Sequence, residues 1–223
     1  TKLTVIDASG NVTQSGAAIG TTDNVERSAD LISLLMLQNG TVMTSGNAIT
    51  FGEIPDGTPE GLFPAVDAVR FYTDFANPTK EVYTWNDTFG SSFEAFTNGQ
   101  AAMFFGYSYH IPFIDTAAPR LNYAISKMPQ ISGGRQVNFA NYWVEGVAKN
   151  SDASNYAWDF VQYQASAEQA SKYLAKAKKP TALRSLINTQ LNDENLGPFA
   201  EQVLTAESWY KGRDVEAMQS VGA

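Results

Sequence analysis

Apolar positions along the chain come in short runs broken by Gly, Pro, Asn and Asp, so the pattern predicts many small elements. Leu3-Thr4-Val5-Ile6 and Val12-Thr13-Gln14 flank the turn Asp7-Ala8-Ser9-Gly10-Asn11 and read as a hairpin. A helix follows, capped by Asp23 with Glu26, carrying Val25, Ala29, Ile32 and Met36 on one face and ending at Gly40. After a Gly/Pro/Ser/Thr-rich loop over 44–59, a second amphipathic helix spans 60–76 with Leu62, Val66, Val69 and Thr73 along its face, stopped by Asn77-Pro78. Ser91 with Glu94 forms a capping-box pattern that opens a short helix closed by Asn98-Gly99. The run Ala101-Ala102-Met103-Phe104-Phe105 has no polar alternation and predicts a strand covered on both faces, as in an α/β sheet. Ligands of open α/β sheets gather beyond the carboxyl ends of strands, which is where Gly106, Tyr107, Ser108 and Tyr109 fall.

From Leu121 the period becomes two: Leu121, Tyr123 and Ile125 alternate, Ser132-Gly133-Gly134 turns, and Val137 and Phe139 alternate again. Ser151 or Asp152 caps a helix with Ala153, Ala157, Phe160 and Gln164. Ser166 with Gln169 opens another with Ala170, Tyr173, Leu174 and Ala177, which Pro180 breaks. Helical patterns resume over 185–191 and 198–209, and Tyr210-Lys211-Gly212 interrupts the chain.

Composition narrows the chemistry. The 223 residues are 43% hydrophobic, enough for one large or two small cores. A net charge of -8 without a cluster of cations argues against nucleic acid. The absence of cysteine excludes disulfides, thiolate metal sites and cysteine nucleophiles, and fits an extracytoplasmic home slightly better than a cytosolic one. His110 is the single histidine, so it cannot build a zinc site of the usual pattern and reads as a strand-end residue with a satisfied ring. Gly16-Ala17-Ala18-Ile19-Gly20 lacks the lysine and spacing of a phosphate loop, and no cofactor or metal is expected. Asp87 and Glu145 leave open a pair of carboxylates for glycoside hydrolysis.

Aromatic residues make up 12% of the chain, and Tyr107, Tyr109, Tyr142, Trp143, Trp209 and Tyr210 fall at predicted strand ends or in loops. Flat rings stack on the C-H faces of sugars while Asn and Asp read the hydroxyls, which suits a carbohydrate cleft, although aromatics also fill cores.

The blocks "AVDAVRFYTDFANP" (65–78), "YTWNDTFGSSFEAFTNGQAAMFFGYS" (83–108), "NYAISKMPQ" (122–130), "WDFVQYQASAEQASKY" (158–173) and "KKPTALRSL" (178–186) resemble, in order, the family 1 extracellular solute-binding proteins of ABC importers, relatives of the maltose-binding protein. The resemblance implies a type II periplasmic-binding-protein-like α/β fold, a mixed sheet flanked by helices within an incomplete two-lobe architecture. It implies that 1–139 form most of the C-terminal lobe. Residues 140–184 would make the hinge crossing and helices of the N-terminal lobe, and 185–223 would return to the C-terminal lobe. The missing first segment and last helices would leave apolar faces open to another copy or a companion fragment. By resemblance the ligand-binding residues are Tyr109, Tyr107, Asn141, Trp143 and Trp209. The implied partners are a carbohydrate and a membrane permease, with no catalysis. The implied place is outside the cytoplasmic membrane, periplasmic or as a cell-surface lipoprotein.

Overall fold

A computed structural model describes residues 2–209 of the chain. They divide into two compact units: one holds the chain up to Asn122, Pro129–Phe139 and the described residues from Glu207, the other Tyr123–Met128 and Ala140–Ala206. The class is α/β. Among the described residues, strands pair only two by two and helices supply most of the regular structure.

The first unit opens with the expected hairpin, β1 (Val5–Ile6) antiparallel to β2 (Val12–Gln14). The Asp7 carboxylate accepts the backbone N–H groups of Ser9 (2.9 Å) and Asn11 (2.8 Å), closing the turn. These bonds also hold its pKa below the usual value. Helix α1 (Ser28–Gln38) starts four residues later than the Asp23 cap predicts. Arg27, in a left-handed conformation at φ 61°, takes the N-cap position without a side-chain cap. Its C-terminus follows the pattern: Gly40 at φ +88° lets its N–H reach Leu37 O (3.1 Å) and that of Thr41 reach Met36 O (2.9 Å). The buried face is Leu31, Leu34, Leu37 and Gln38 rather than Ala29, Ile32 and Met36. Gln38 donates to Pro129 O and Val137 O, both at 3.1 Å, which fastens 129–137 to α1.

A two-residue hairpin, β3 (Thr44–Ser45) with β4 (Ala48–Ile49), punctuates the expected loop. Helix α2 (Pro64–Asp74) begins with proline at its first turn, where the missing N–H costs nothing. It buries Pro64, Ala68 and Tyr72 and leaves Val66 and Val69 exposed, so the predicted face is rotated. Tyr72 donates its hydroxyl to Thr21 O (2.6 Å), and burial pushes its pKa up to about 12. Trp85, fully buried, stacks on Phe89 at 4.7 Å and donates to Thr21 Oγ1 (3.0 Å) and Asn24 Oδ1 (2.9 Å). Helix α3 (Ser92–Thr97) carries the predicted capping box, with Ser91 accepting from the Glu94 N–H and the Glu94 carboxylate returning to the Ser91 N–H.

The run 101–105 is a correction. It is extended but forms no regular strand: among the described residues its ladder is a single parallel bridge between Ser15 and Ala101. Ala102 N–H bonds to Ser15 O (2.9 Å) and Ala18 N–H to Met103 O (3.1 Å). Ala101 is buried, while Met103 is 47% exposed, so the run is not covered on both faces. After it comes helix α4 (His110–Ala117), where the sequence reading placed a strand end. Leu121, Tyr123 and Ile125 keep their alternation, half-buried against exposed neighbours, without becoming a strand. Residues 137–139 contribute only β5 (Asn138–Phe139).

In the second unit α5 (Ser154–Ala165) and α6 (Ala167–Ala177) match the predicted pair, and Ser166 accepts from the Gln169 N–H at 3.5 Å. Neither helix buries a residue fully. The fully buried positions are Thr181, Ile187, Gln190, Leu196, Gly197 and Ala200, around α7 (Ile187–Gln190) and α8 (Gly197–Gln202). The Gln190 amide closes this cluster, accepting from the Thr181 N–H (2.8 Å) and donating to Lys179 O (2.9 Å). Tyr210-Lys211-Gly212 lies outside the described residues. No described helix is long and apolar enough to cross a membrane.

Candidate functional site

In the first unit the segment before α1, Phe93 of α3 and one face of α4 with its N-cap Tyr109 surround a recess of about 430 Å³. Glu26, Phe93, Tyr109, His110, Phe113, Thr116 and Ala117 line it. Local chemistry places each. The segment before α1 is fixed to α3, where Ser92 Oγ accepts the Glu26 N–H (2.9 Å) and the Ser92 N–H bonds to Asn24 O (2.7 Å). His110, Phe113 and Ala117 share one face of α4 through i, i+3, i+7 spacing.

Gly106 is where the chain turns into this helix. A side chain there would stand 2.6 Å from the Phe104 ring and 2.7 Å from His110 Nδ1, so only glycine admits both. His110 is buried, and its Nδ1 accepts the Tyr107 N–H at 2.9 Å. That bond leaves the proton on Nε2, which donates to Glu26 Oε2 at 3.2 Å. Burial lowers the His110 pKa, against the opposing pull of Glu26. The ring is satisfied, as the sequence reading expected, but it begins a helix rather than ending a strand.

Tyr107 and Tyr109 come together, with ring centroids 5.9 Å apart and planes at 18°. Their environments differ. Tyr107 donates its hydroxyl to Asp30 Oδ2 (2.9 Å), and the Arg27 guanidinium sits 5.4 Å from its ring centre. Arg27 also pairs with Asp30 at 3.4 Å, so cation, carboxylate and phenol form one closed set. Burial, then the Asp30 charge, raise the Tyr107 pKa strongly. Tyr109 remains 39% exposed, and its ring lies 4.1 Å from that of His110. Tyr107 is therefore a supporting residue and Tyr109 the accessible ring of the pair.

Trp209 also belongs to the first unit. Its Nε1 donates to Ser33 Oγ (3.2 Å), one turn along α1 from Asp30, and its ring meets Phe51 edge-on at 6.2 Å. Asn141 and Trp143 lie in the second unit, in a stretch without regular structure. Trp143 is 98% exposed. Asp87 and Glu145, the carboxylates considered for hydrolysis, lie in different units and are both exposed.

Glu26, Phe93, Phe113 and Thr116 were not singled out from sequence as site residues. The Glu26–His110 contact joins positions 84 residues apart, and no spacing rule reveals it. Phe113 was legible in principle, three residues after His110 on a helix the sequence reading did not assign.

Comparison with known proteins gives one result. No curated protein and no solved structure matches the chain. The family model described as bacterial extracellular solute-binding protein matches residues 8–194, a span that contains every lining residue of the recess. The chain belongs to the bacterial extracellular solute-binding proteins.

Proposed function

We propose that the protein captures a sugar or oligosaccharide and delivers it to the membrane permease of an ABC importer, without altering a bond. The observation that carries this reading is Tyr109, a partly exposed ring on the wall of a recess that also holds a carboxylate. An aromatic face takes the C-H side of a pyranose while Glu26 and Thr116 accept from its hydroxyls. In this reading 1–139 belong to a C-terminal lobe, 140–184 to a crossing and N-terminal-lobe helices, and 185–223 return. Asn141 and Trp143, at the crossing, and Trp209, beside α1, are further candidate ligand-binding residues of this reading. Trp143, with its ring open to solvent, has the accessibility a stacking residue needs. Closure of lobes on the ligand follows from differential affinity, since contacts to both lobes exist only in the closed state. The protein works outside the cytoplasmic membrane, in the periplasm or as a surface lipoprotein.

Calorimetric titration against neutral mono- and oligosaccharides and against short peptides tests this. Binding of at least one sugar is expected; peptide binding with no response to any sugar overturns the carbohydrate assignment.

A further inference from the structure

The recess has a charge character that its aromatic walls do not reveal. Of the seven residues lining it, Glu26 alone is charged at pH 7. The neighbouring ions are matched: Asp30 is taken up by Arg27 and by the Tyr107 hydroxyl, and neither ion is among the lining residues. Within the lining, His110 is the partner of Glu26. Because its Nδ1 is occupied by the Tyr107 N–H, the ring meets Glu26 as a neutral donor and brings no positive charge to offset the carboxylate. Glu94, the other acid on the adjoining element, is turned to the Ser91 N–H in the capping box.

We propose that Glu26 makes this recess selective for neutral sugar units and against uronic acids, serving as both a hydroxyl acceptor and a fixed negative charge. The inference rests on the sugar-binding reading above. Ring stacking on Tyr109, Phe93 or Phe113 treats a neutral pyranose and its uronate alike, because their C-H faces are the same. Charge is the term that separates them. A carboxylate on a sugar ring seated against Glu26 lies within about one screening length, roughly 8 Å at physiological salt, so the repulsion is only partly screened. His110 positions the carboxylate through Oε2 without neutralising it.

The test compares matched pairs on the intact chain by calorimetry at pH 7.5: galactobiose with digalacturonate, and cellobiose with cellobiouronate. Wild type is expected to bind the neutral member about tenfold or more tightly than the acid. Glu26→Gln keeps shape and hydrogen bonding while removing the charge, and is expected to bring the ratio to within about threefold. With wild type, raising salt from about 0.05 to about 0.5 M screens the repulsion and is expected to narrow the ratio, so the test holds even where E26Q fails to fold. Equal or tighter uronate binding by wild type, an unchanged ratio in folded E26Q, or a ratio that salt does not narrow overturns the charge selectivity and leaves sugar binding standing. Failure of wild type to bind any neutral sugar overturns both readings, and is recognised because it appears without any variant.

Discussion

The two units bury their side chains in different ways. In the first, Trp85 and Tyr72 are sealed from solvent, and each sends its polar tip to the same short segment, Thr21 to Asn24. In the second, α5 and α6 hold Tyr156, Phe160, Tyr163 and Tyr173 at more than half exposure, and one amide, that of Gln190, ties the small core. The recess is built in the unit that is better fixed. Rigid elements hold a binding geometry more closely than loosely buried ones, and the capping box of α3 and the bonds of Ser92 to Asn24 and Glu26 fix the recess side.

Substitutions can break this contrast. Trp85→Ala removes the largest buried ring and is expected to cost ~3–5 kcal/mol in chemical denaturation. Phe160→Ala, at 59% exposure, is expected to stay within about 0.5 kcal/mol. A similar cost for both would mean that the exposed helices are better supported than their burial indicates. Next in size is Gln190→Ala, which leaves the buried Thr181 N–H and Lys179 O without their side-chain partner. A loss of ~1–3 kcal/mol is expected, read by unfolding or by faster amide exchange in α7 and α8.

Ser91→Ala deletes one arm of the capping box and is expected to cost ~1 kcal/mol, measured as a lower denaturation midpoint. The pH response is the finest probe. His110 has a lowered folded pKa, so its contribution is present above the usual imidazole value of the unfolded chain and is lost as pH falls through the folded value. The groups facing it are the Glu26 carboxylate, the Arg27 guanidinium, the Tyr107 backbone and the Phe93, Phe104 and Tyr109 rings. His110→Gln is expected to flatten the acid limb of the stability profile, and an unchanged limb would show that the ring titrates alike folded and unfolded.

Local chemistry was legible in the sequence. The Asp7 turn, the Ser91–Glu94 box, the Ser166 cap and the Gly40 stop each depend on residues within about five positions of one another. Which helix face turns inward was not. Pro64, Ala68 and Tyr72 recur at the same helical period as Leu62, Val66, Val69 and Thr73, and packing of α2 against α1 selects the first set. The run 101–105 failed as a strand for a similar reason: its apolar content does not specify a partner, and its pairing with 15–18 amounts to one bridge and a few backbone bonds. Of the recess lining, Tyr109 was singled out from its place after that run. The carboxylate beside it was not, since Glu26 served in the sequence reading only as a capping partner for Asp23. The solute-binding family was legible through the order of five blocks, all of which lie within the family match over residues 8–194.

The central claim is that the Tyr109 ring grips a sugar. Isothermal titration of wild type and Tyr109→Ala with whichever neutral sugar of the panel binds tests it most directly. The account predicts a loss of ~1–3 kcal/mol in binding free energy, with the Tyr109→Ala unfolding midpoint near that of wild type. Unchanged affinity in a folded Tyr109→Ala protein would contradict it.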